Sequence, residues 1–170
     1  MKNISFRNDI LPLKDVLYRL ALRITLKREE AEDIVQDTLI KVWNRRDNWN
    51  EIDSIEAYCL TICRNLALDR IKKRENLNES LEDNGNDSPD KSFNPFEDTL
   101  QQDRIDLVRN LVNALPEKQR SCMQLRDFEG KSYKDIAEIL EISEDQVKIN
   151  IFRARQTVKE RFKNYDNYGL

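Results

Sequence analysis

The chain has 170 residues, of which 39% are hydrophobic and 36% charged, and its formal net charge at pH 7 is −3. This composition predicts a globular protein with one domain or two small ones. The sequence has no histidine and only three glycines, so the commonest general base and a glycine-rich phosphate loop are both missing. An enzyme is therefore the least expected class, and the sequence predicts neither a cofactor nor a metal site.

Seven helices and no strand are predicted, so the fold class is all-α. The predicted helices span residues 8–26, 29–46, 54–74, 104–114, 117–128, 132–140 and 143–163. The longest apolar segments, such as residues 16–26, are interrupted by arginine and are too short to span a bilayer. No membrane insertion is expected.

The second predicted helix carries an acidic face opposite its apolar face. Its core face consists of Ala31, Ile34, Val35, Leu39 and Val42, and its opposite face of Asp33, Gln36, Asp37 and Ile40. An isoleucine among acidic residues is exposed to water unless a partner covers it. The alternative is a solvated face with one stray isoleucine.

The third predicted helix is basic and carries Cys59 and Cys63 on its apolar side, where buried thiols are expected rather than metal ligands. Its outer side shows Tyr58, Thr61, Asn65 and Lys72, and its bases include Arg64. Such a mixture suits contacts to nucleic-acid bases and phosphates. In the preceding loop, Trp49 either plugs the core or stacks on a base, whereas Asn50 has no obvious structural role. The odd, sparse cysteine count fits a reducing cytoplasm.

A strongly acidic segment follows, with nine acidic residues and one lysine between Glu75 and Asp103. It also contains Gly85, Pro89 and Pro95, and it lacks apolar periodicity. These features predict a flexible acidic linker over residues 76–103, since a loop of this length is uncommon inside a compact fold. Two domains, residues 1–75 and 104–165, are expected on either side.

The last two predicted helices form a helix-turn-helix pattern. Ser132 with Asp135, and Ser143 with Gln146, are two helix-start signals eleven residues apart. The second helix has an apolar stripe of Val147, Ile151, Ala154, Val158 and Phe162.

From Gln146 to Lys163 this helix has six bases and one acid, which favours DNA binding over a merely solvated basic face. Ile149 lies opposite the stripe, beside Arg153 and Gln156, where it can meet a thymine methyl group.

The order and spacing of four segments resemble those of an extracytoplasmic-function sigma factor of the sigma-70 family. The segments are AEDIVQDTLIKVW, AYCLTICRNLALDRIKK, LPEKQRSCMQLRDFEGKSYKDIAEIL and FRAR. The resemblance covers nearly the whole chain. It implies two small helical domains, sigma region 2 and sigma region 4 with its helix-turn-helix, and a protein that directs core RNA polymerase to promoters and helps to open the DNA.

The resemblance also implies roles for individual residues. Asp33, Gln36, Asp37 and Ile40 would bind the polymerase clamp helices, and region 4 would bind the flap. The minus-10 element would be read as single-stranded bases by the segment from Asn44 through Glu56 and the following helix, with Asn50, Tyr58, Thr61, Arg64, Asn65 and Lys72 as contacts. The minus-35 element would be read as duplex by Lys148, Ile149, Asn150, Arg153 and Arg155. An anti-sigma factor, which can be membrane-bound, is a further implied partner.

Two positions depart from the family pattern. Glu141 occupies the turn where many members have glycine, so the turn either avoids a left-handed residue or bears strain. Asn150 stands where a basic residue is frequent in the family.

Two rival functions were considered. A conventional helix-turn-helix regulator would leave the acidic face of residues 31–43 unexplained. A sigma-like mimic that captures an anti-sigma factor without reading DNA would not need the cations that this recognition helix carries.

Overall fold

The computed structural model describes residues 3–81 and 100–167, and this part of the chain is helical, with no strand. The helices are α1 (Lys14–Thr25), α2 (Arg28–Asn44), α3 (Ile55–Leu81), α4 (Leu100–Asn113), α5 (Glu117–Met123), α6 (Tyr133–Leu140) and α7 (Glu144–Asn167). Short helical turns span Phe6–Ile10, Leu11–Leu13, Arg46–Glu51 and Gln124–Phe128. The predicted all-α class is confirmed.

Helices α1, α2 and α3 pack together as the first domain. Their apolar faces supply fully buried side chains such as Leu17, Leu20, Ile34 and Leu60. The core face predicted for α2 is confirmed for Ala31, Ile34, Val35 and Val42, whereas Leu39 is half-buried.

Helices α4 to α7 form the second domain, in which α6 and α7 make the predicted helix-turn-helix. The Ser132 hydroxyl accepts a hydrogen bond from the Asp135 amide at 3.1 Å. At the start of α7, Ser143 Oγ accepts from the Gln146 amide and Gln146 Oε1 accepts from the Ser143 amide, at 3.1 and 3.0 Å. This reciprocal pair satisfies two amides that the first turn of a helix leaves without partners.

The turn between α6 and α7 contains a left-handed residue at Glu141. Glu141 adopts a left-handed conformation with φ 57° and ψ 42°, and its amide donates to the Ala137 carbonyl. A glutamate in this region costs roughly 1 kcal/mol relative to glycine. The turn therefore bears strain rather than avoiding the left-handed residue.

The two domains pack against each other, which the sequence did not predict. Helix α1 contacts α5, and α3 contacts α6. One continuous cluster of buried side chains joins Leu17 and Leu60 of the first domain to Leu125 and Ile139 of the second. The apolar core is thus shared between both domains.

The predicted linker, residues 76–103, is described only at its ends. Helix α3 continues to Leu81 and α4 begins at Leu100, so both ends of the segment are helical. Residues 82–99 lie outside the described residues, and the domain boundaries stay a prediction. Among the described helices, none combines the length and apolarity needed to cross a bilayer.

Candidate functional site

The outer face of α2 lies where the sequence predicted it. Asp33, Gln36 and Asp37 are exposed, and the side chain of Ile40 is 57% exposed. Asp33 lies 3.8 Å from a guanidinium nitrogen of Arg70 on α3. The face therefore combines carboxylates with an isoleucine that contributes little to the core of this chain.

An apolar groove continues from Ile40 toward the N-terminal segment. It is lined by Phe6, Leu39, Ile40 and Trp43 and has a volume of about 360 Å³. The edge of the Phe6 ring meets Trp43, with 5.3 Å between ring centres, and Trp43 remains 44% exposed. Sequence reasoning missed Phe6 and Trp43, although the spacing of Trp43, three residues after Ile40, placed it on the same side of the helix.

Trp49 belongs to the core beneath this groove. It is only 7% exposed, and its indole Nε1 donates to the Val42 carbonyl at 3.0 Å. Its ring also stacks near Phe6, with 6.5 Å between centres. Of the two sequence-based interpretations the core one is therefore confirmed, and Trp49 is not open to a flipped base. The neighbouring Asn50 is exposed.

The outer side of α3 presents a polar surface beside the turn Arg46–Glu51. Asn65 and Lys72 are exposed, while Tyr58 and Thr61 are half-buried. The Tyr58 hydroxyl accepts from Arg45 at 3.4 Å, and the Thr61 hydroxyl donates to the Ala57 carbonyl at 2.9 Å. This surface therefore groups an amide, two hydroxyls and cations, as expected for contacts to unstacked bases.

Arg64 differs from its expected position. It is 6% exposed and lies between the domains, where it donates to the Leu140 carbonyl at 3.2 Å and pairs with Glu117 at 3.5 Å. At 100° per residue, Arg64 lies well to one side of the face formed by Tyr58 and Asn65. In this conformation Arg64 is therefore buried between the domains rather than on the outer side of α3, and its expected contact with the minus-10 strand stays a prediction.

Helix α7 turns an outward face toward solvent. Lys148 and Arg153 are exposed, and Ile149 is 48% exposed. Phe152, three residues after Ile149, is 66% exposed on the same face. The sequence analysis did not identify Phe152 as a surface residue, because Phe152 was considered only as the first residue of the FRAR segment.

The other two predicted reading residues are engaged within the chain. Asn150 is half-buried and its side-chain amide donates to the Gln146 carbonyl at 2.8 Å. Arg155 forms a bidentate pair with Asp127, in which Nε lies 3.1 Å from a carboxylate oxygen. These internal contacts use only part of the hydrogen-bonding capacity of each side chain.

The three cysteines are buried, which confirms the prediction made for Cys59 and Cys63. Burial raises the pKa of Cys59 and of Cys63 to about 12, and that of Cys122 to about 11. Neutral thiols at neutral pH are poor nucleophiles and poor metal ligands. Within the described residues, no group of three or more side chains is arranged to hold a metal ion.

Comparison with known families matches both halves of the chain. Residues 10–76 match the model described as Sigma-70 region 2, and residues 105–158 match the model described as Sigma-70, region 4. The first match covers α1, α2 and most of α3, and the second covers most of α4 through most of α7.

Individual relatives agree with these matches. The ECF RNA polymerase sigma factor SigL of Mycobacterium tuberculosis is 30% identical over 147 residues, which are 85% of this chain and 81% of SigL. SigE of Mycolicibacterium smegmatis is 30% identical over 148 residues, but this chain spans only 57% of its length.

Two solved structures share the fold of this chain. The sigma factor RpoE in complex with the anti-sigma factor NepR from Bartonella quintana superposes with a TM-score of 0.77 at 28% identity, over 93% of this chain and 96% of that one. CnrH, solved in complex with the cytosolic domain of CnrY, shares the fold at 18% identity and a TM-score of 0.67, over 94% of this chain and 88% of that one. The chain therefore belongs to the extracytoplasmic-function sigma factors of the sigma-70 family.

Proposed function

We propose that this protein is an alternative sigma factor that binds core RNA polymerase and directs it to a specific set of promoters. It is a regulator of transcription initiation rather than an enzyme, and it works in the cytoplasm with the polymerase. The observation that carries this proposal is the outer face of α2, where exposed Ile40 shares a face with the carboxylates of Asp33 and Asp37 and borders an apolar groove. A conventional DNA-binding regulator has no use for such a face.

The partner that fits this face is a helix with basic and apolar side chains. Asp33 and Asp37 offer exposed carboxylates for pairing with cations, and Ile40 and Trp43 offer apolar contact. The resemblance to the family implies that this surface meets the polymerase clamp helices and that region 4 meets the flap. We therefore assign Asp33, Gln36, Asp37 and Ile40 to polymerase docking.

The outward face of α7 is proposed to read the duplex minus-35 element. Lys148 and Arg153 supply cations for bases and phosphates, while Ile149 and Phe152 supply apolar contacts for thymine methyl groups. Asn150 and Arg155 can join them through the polar groups that their internal hydrogen bonds leave free. Reading at this element would therefore combine cationic contacts with apolar ones.

The outer side of α3 is proposed to hold the melted minus-10 strand. Asn50, Tyr58, Thr61, Asn65 and Lys72 provide hydrogen-bonding groups, a ring and a cation for unstacked bases. The buried position of Trp49 means that base capture cannot use this indole and falls to Tyr58 and the amides.

An anti-sigma factor is also proposed as a partner. The support comes from the likeness to the Bartonella quintana RpoE, which was solved with the anti-sigma factor NepR. The groove beside Ile40 gives such a regulator an apolar surface that it can cover in competition with the polymerase.

The docking assignment is tested with the double variant Asp33→Ala, Asp37→Ala. Both positions are exposed, so the fold should be unchanged. Loss of two interfacial carboxylates should weaken binding to core polymerase at least about tenfold. The control removes two exposed carboxylates from the neighbouring turn, Asp47→Ala with Glu51→Ala, and leaves the net charge matched.

Both variants are titrated against core polymerase at one salt concentration, and each is also titrated with duplex minus-35 DNA. The proposal expects a selective loss of polymerase affinity in the α2 variant alone. Equal polymerase affinities for the two folded variants would mean that the acidic face is merely solvated.

A further inference from the structure

The face of α3 that is proposed to hold the minus-10 strand runs past the end of the core. At 100° per residue, Tyr58, Asn65 and Lys72 lie along one line of the helix, called the reading stripe here, and this line is about 21 Å long. Between residues 68 and 78 no side chain of α3 is fully buried. The part of the helix that carries Lys72 is therefore held by the core only through half-buried side chains such as Ile71.

Two arginines on the other side of α3 hold this part of the helix by charge pairs. Arg70 and Arg74 each lie two residues from Lys72, which places them about 160° away around the helix. A guanidinium nitrogen of Arg70 lies 3.8 Å from the Asp33 carboxylate, and Arg74 pairs with Glu30. Both acids belong to α2, so the two pairs tie the end of α3 to that helix.

The pair of Arg74 and Glu30 is the better fixed of the two. Its side chains are 27% and 20% exposed, against 33% and 62% for Arg70 and Asp33, so water and salt screen it less. Arg74 also donates to the Thr25 carbonyl at 3.1 Å, an acceptor in the last turn of α1 that has no partner within its own helix. Arg74 therefore joins the end of α3 to both α1 and α2.

We propose that Arg74 and Glu30 are positioning residues for minus-10 reading, because their ion pair keeps Lys72 in line with the rest of the reading stripe. This inference rests on the proposed function. Neither residue belongs to the reading stripe, and Glu30 lies on a different helix. The pair therefore acts through the position of Lys72 and not by touching DNA.

The alternative role for Arg74 is a direct phosphate contact, and the two roles predict opposite effects of Glu30→Gln. This change removes one negative charge and releases Arg74, so a phosphate-binding Arg74 would hold the anionic strand more tightly. Under the positioning role the same change loosens the end of α3. The strand must then order that end when it binds, and its affinity falls.

The test compares holoenzymes formed with core polymerase. The variants are Glu30→Gln, Arg74→Gln and the double variant, and the control is Glu29→Gln, which makes the same charge change at an exposed neighbouring position. Each holoenzyme is titrated with single-stranded oligonucleotides that cover the minus-10 element of a promoter selected by the parent protein. Circular dichroism and thermal unfolding first establish that every variant is folded.

Glu30→Gln and Arg74→Gln should each weaken strand binding about fivefold. The double variant should be within about twofold of either single variant, since both changes break one pair. Adding Lys72→Gln to Glu30→Gln should have little further effect, because a loosened Lys72 already contributes little. The Glu29→Gln control should bind the strand at least as tightly as the parent.

Amide hydrogen exchange of the free protein measures the loosening without DNA or polymerase. Glu30→Gln should speed exchange at residues 70–78 at least about fivefold, and it should leave residues 57–67 unchanged because the core holds them. Affinity for duplex minus-35 DNA should stay within about twofold of the parent, since α7 lies in the other domain.

Parent-like or tighter strand binding by Glu30→Gln would overturn the inference, and so would unchanged exchange at residues 70–78. Failure of the parent protein to form a holoenzyme or to select any promoter would instead refute the proposed function. The exchange comparison would still decide whether the pair of Arg74 and Glu30 holds the end of α3.

Discussion

The exposed side chain of Ile40 permits a quantitative test of polymerase docking. Replacing Ile40 by alanine removes three carbon atoms, and burying each is worth about 0.8 kcal/mol. Only the 57% of this side chain that is still exposed remains for a partner to cover, so the expected loss is about 1.4 kcal/mol of binding free energy. The apparent Kd for core polymerase should therefore rise about tenfold.

The fold should tolerate Ile40→Ala, because the side chain contributes little to the core and alanine favours helix. Ile149→Ala is the reciprocal control, since it removes the same atoms from a comparably exposed position on α7.

Equilibrium titrations of both variants with core polymerase and with duplex minus-35 DNA should show opposite patterns. The Ile40 variant loses polymerase affinity only, and the Ile149 variant loses preference at a thymine only. Wild-type polymerase affinity in a folded Ile40→Ala protein would refute the docking face.

Three further outcomes follow from the structure. Arg153→Ala should weaken minus-35 duplex binding by about 1 to 3 kcal/mol in gel-shift titrations; unchanged affinity would remove Arg153 from the reading face. Trp49→Ala should lower the free energy of unfolding by about 3 to 5 kcal/mol in urea titrations, because the indole is core; a loss of minus-10 binding at unchanged stability would contradict this. The raised pKa values of Cys59 and Cys63 mean that the unfolded chain loses these protons first as pH rises. Stability should therefore fall between about pH 9 and pH 12, and it should fall less steeply in a Cys59→Ala, Cys63→Ala variant; equal slopes would contradict thiol burial.

Features set by neighbouring residues could be predicted from the sequence. The capping pair of Ser143 and Gln146 and the stripe beginning at Val147 depend only on helical spacing, and the structure confirms both. The exposed position of Ile40 followed from the same spacing. Such features need no knowledge of the rest of the fold.

Features set by distant residues could not be predicted. Arg64 was assigned to DNA by its charge, but its surroundings are set by α5 and α6, whose approach to α3 no local pattern encodes. Phe6 lies 37 positions before Trp43, so the groove between them depends on how the N-terminal segment folds back. The interface between the domains is likewise formed by residues that are remote in sequence.

The central claim is that this chain directs RNA polymerase to particular promoters. Its most direct test combines the purified protein with bacterial core polymerase and a genomic library of promoter fragments, and maps the transcript starts. We predict starts that depend on the added protein and share sequence elements at minus-35 and minus-10. Absence of protein-dependent starts, from a folded protein that still shifts duplex DNA, would contradict the account and favour a conventional helix-turn-helix regulator.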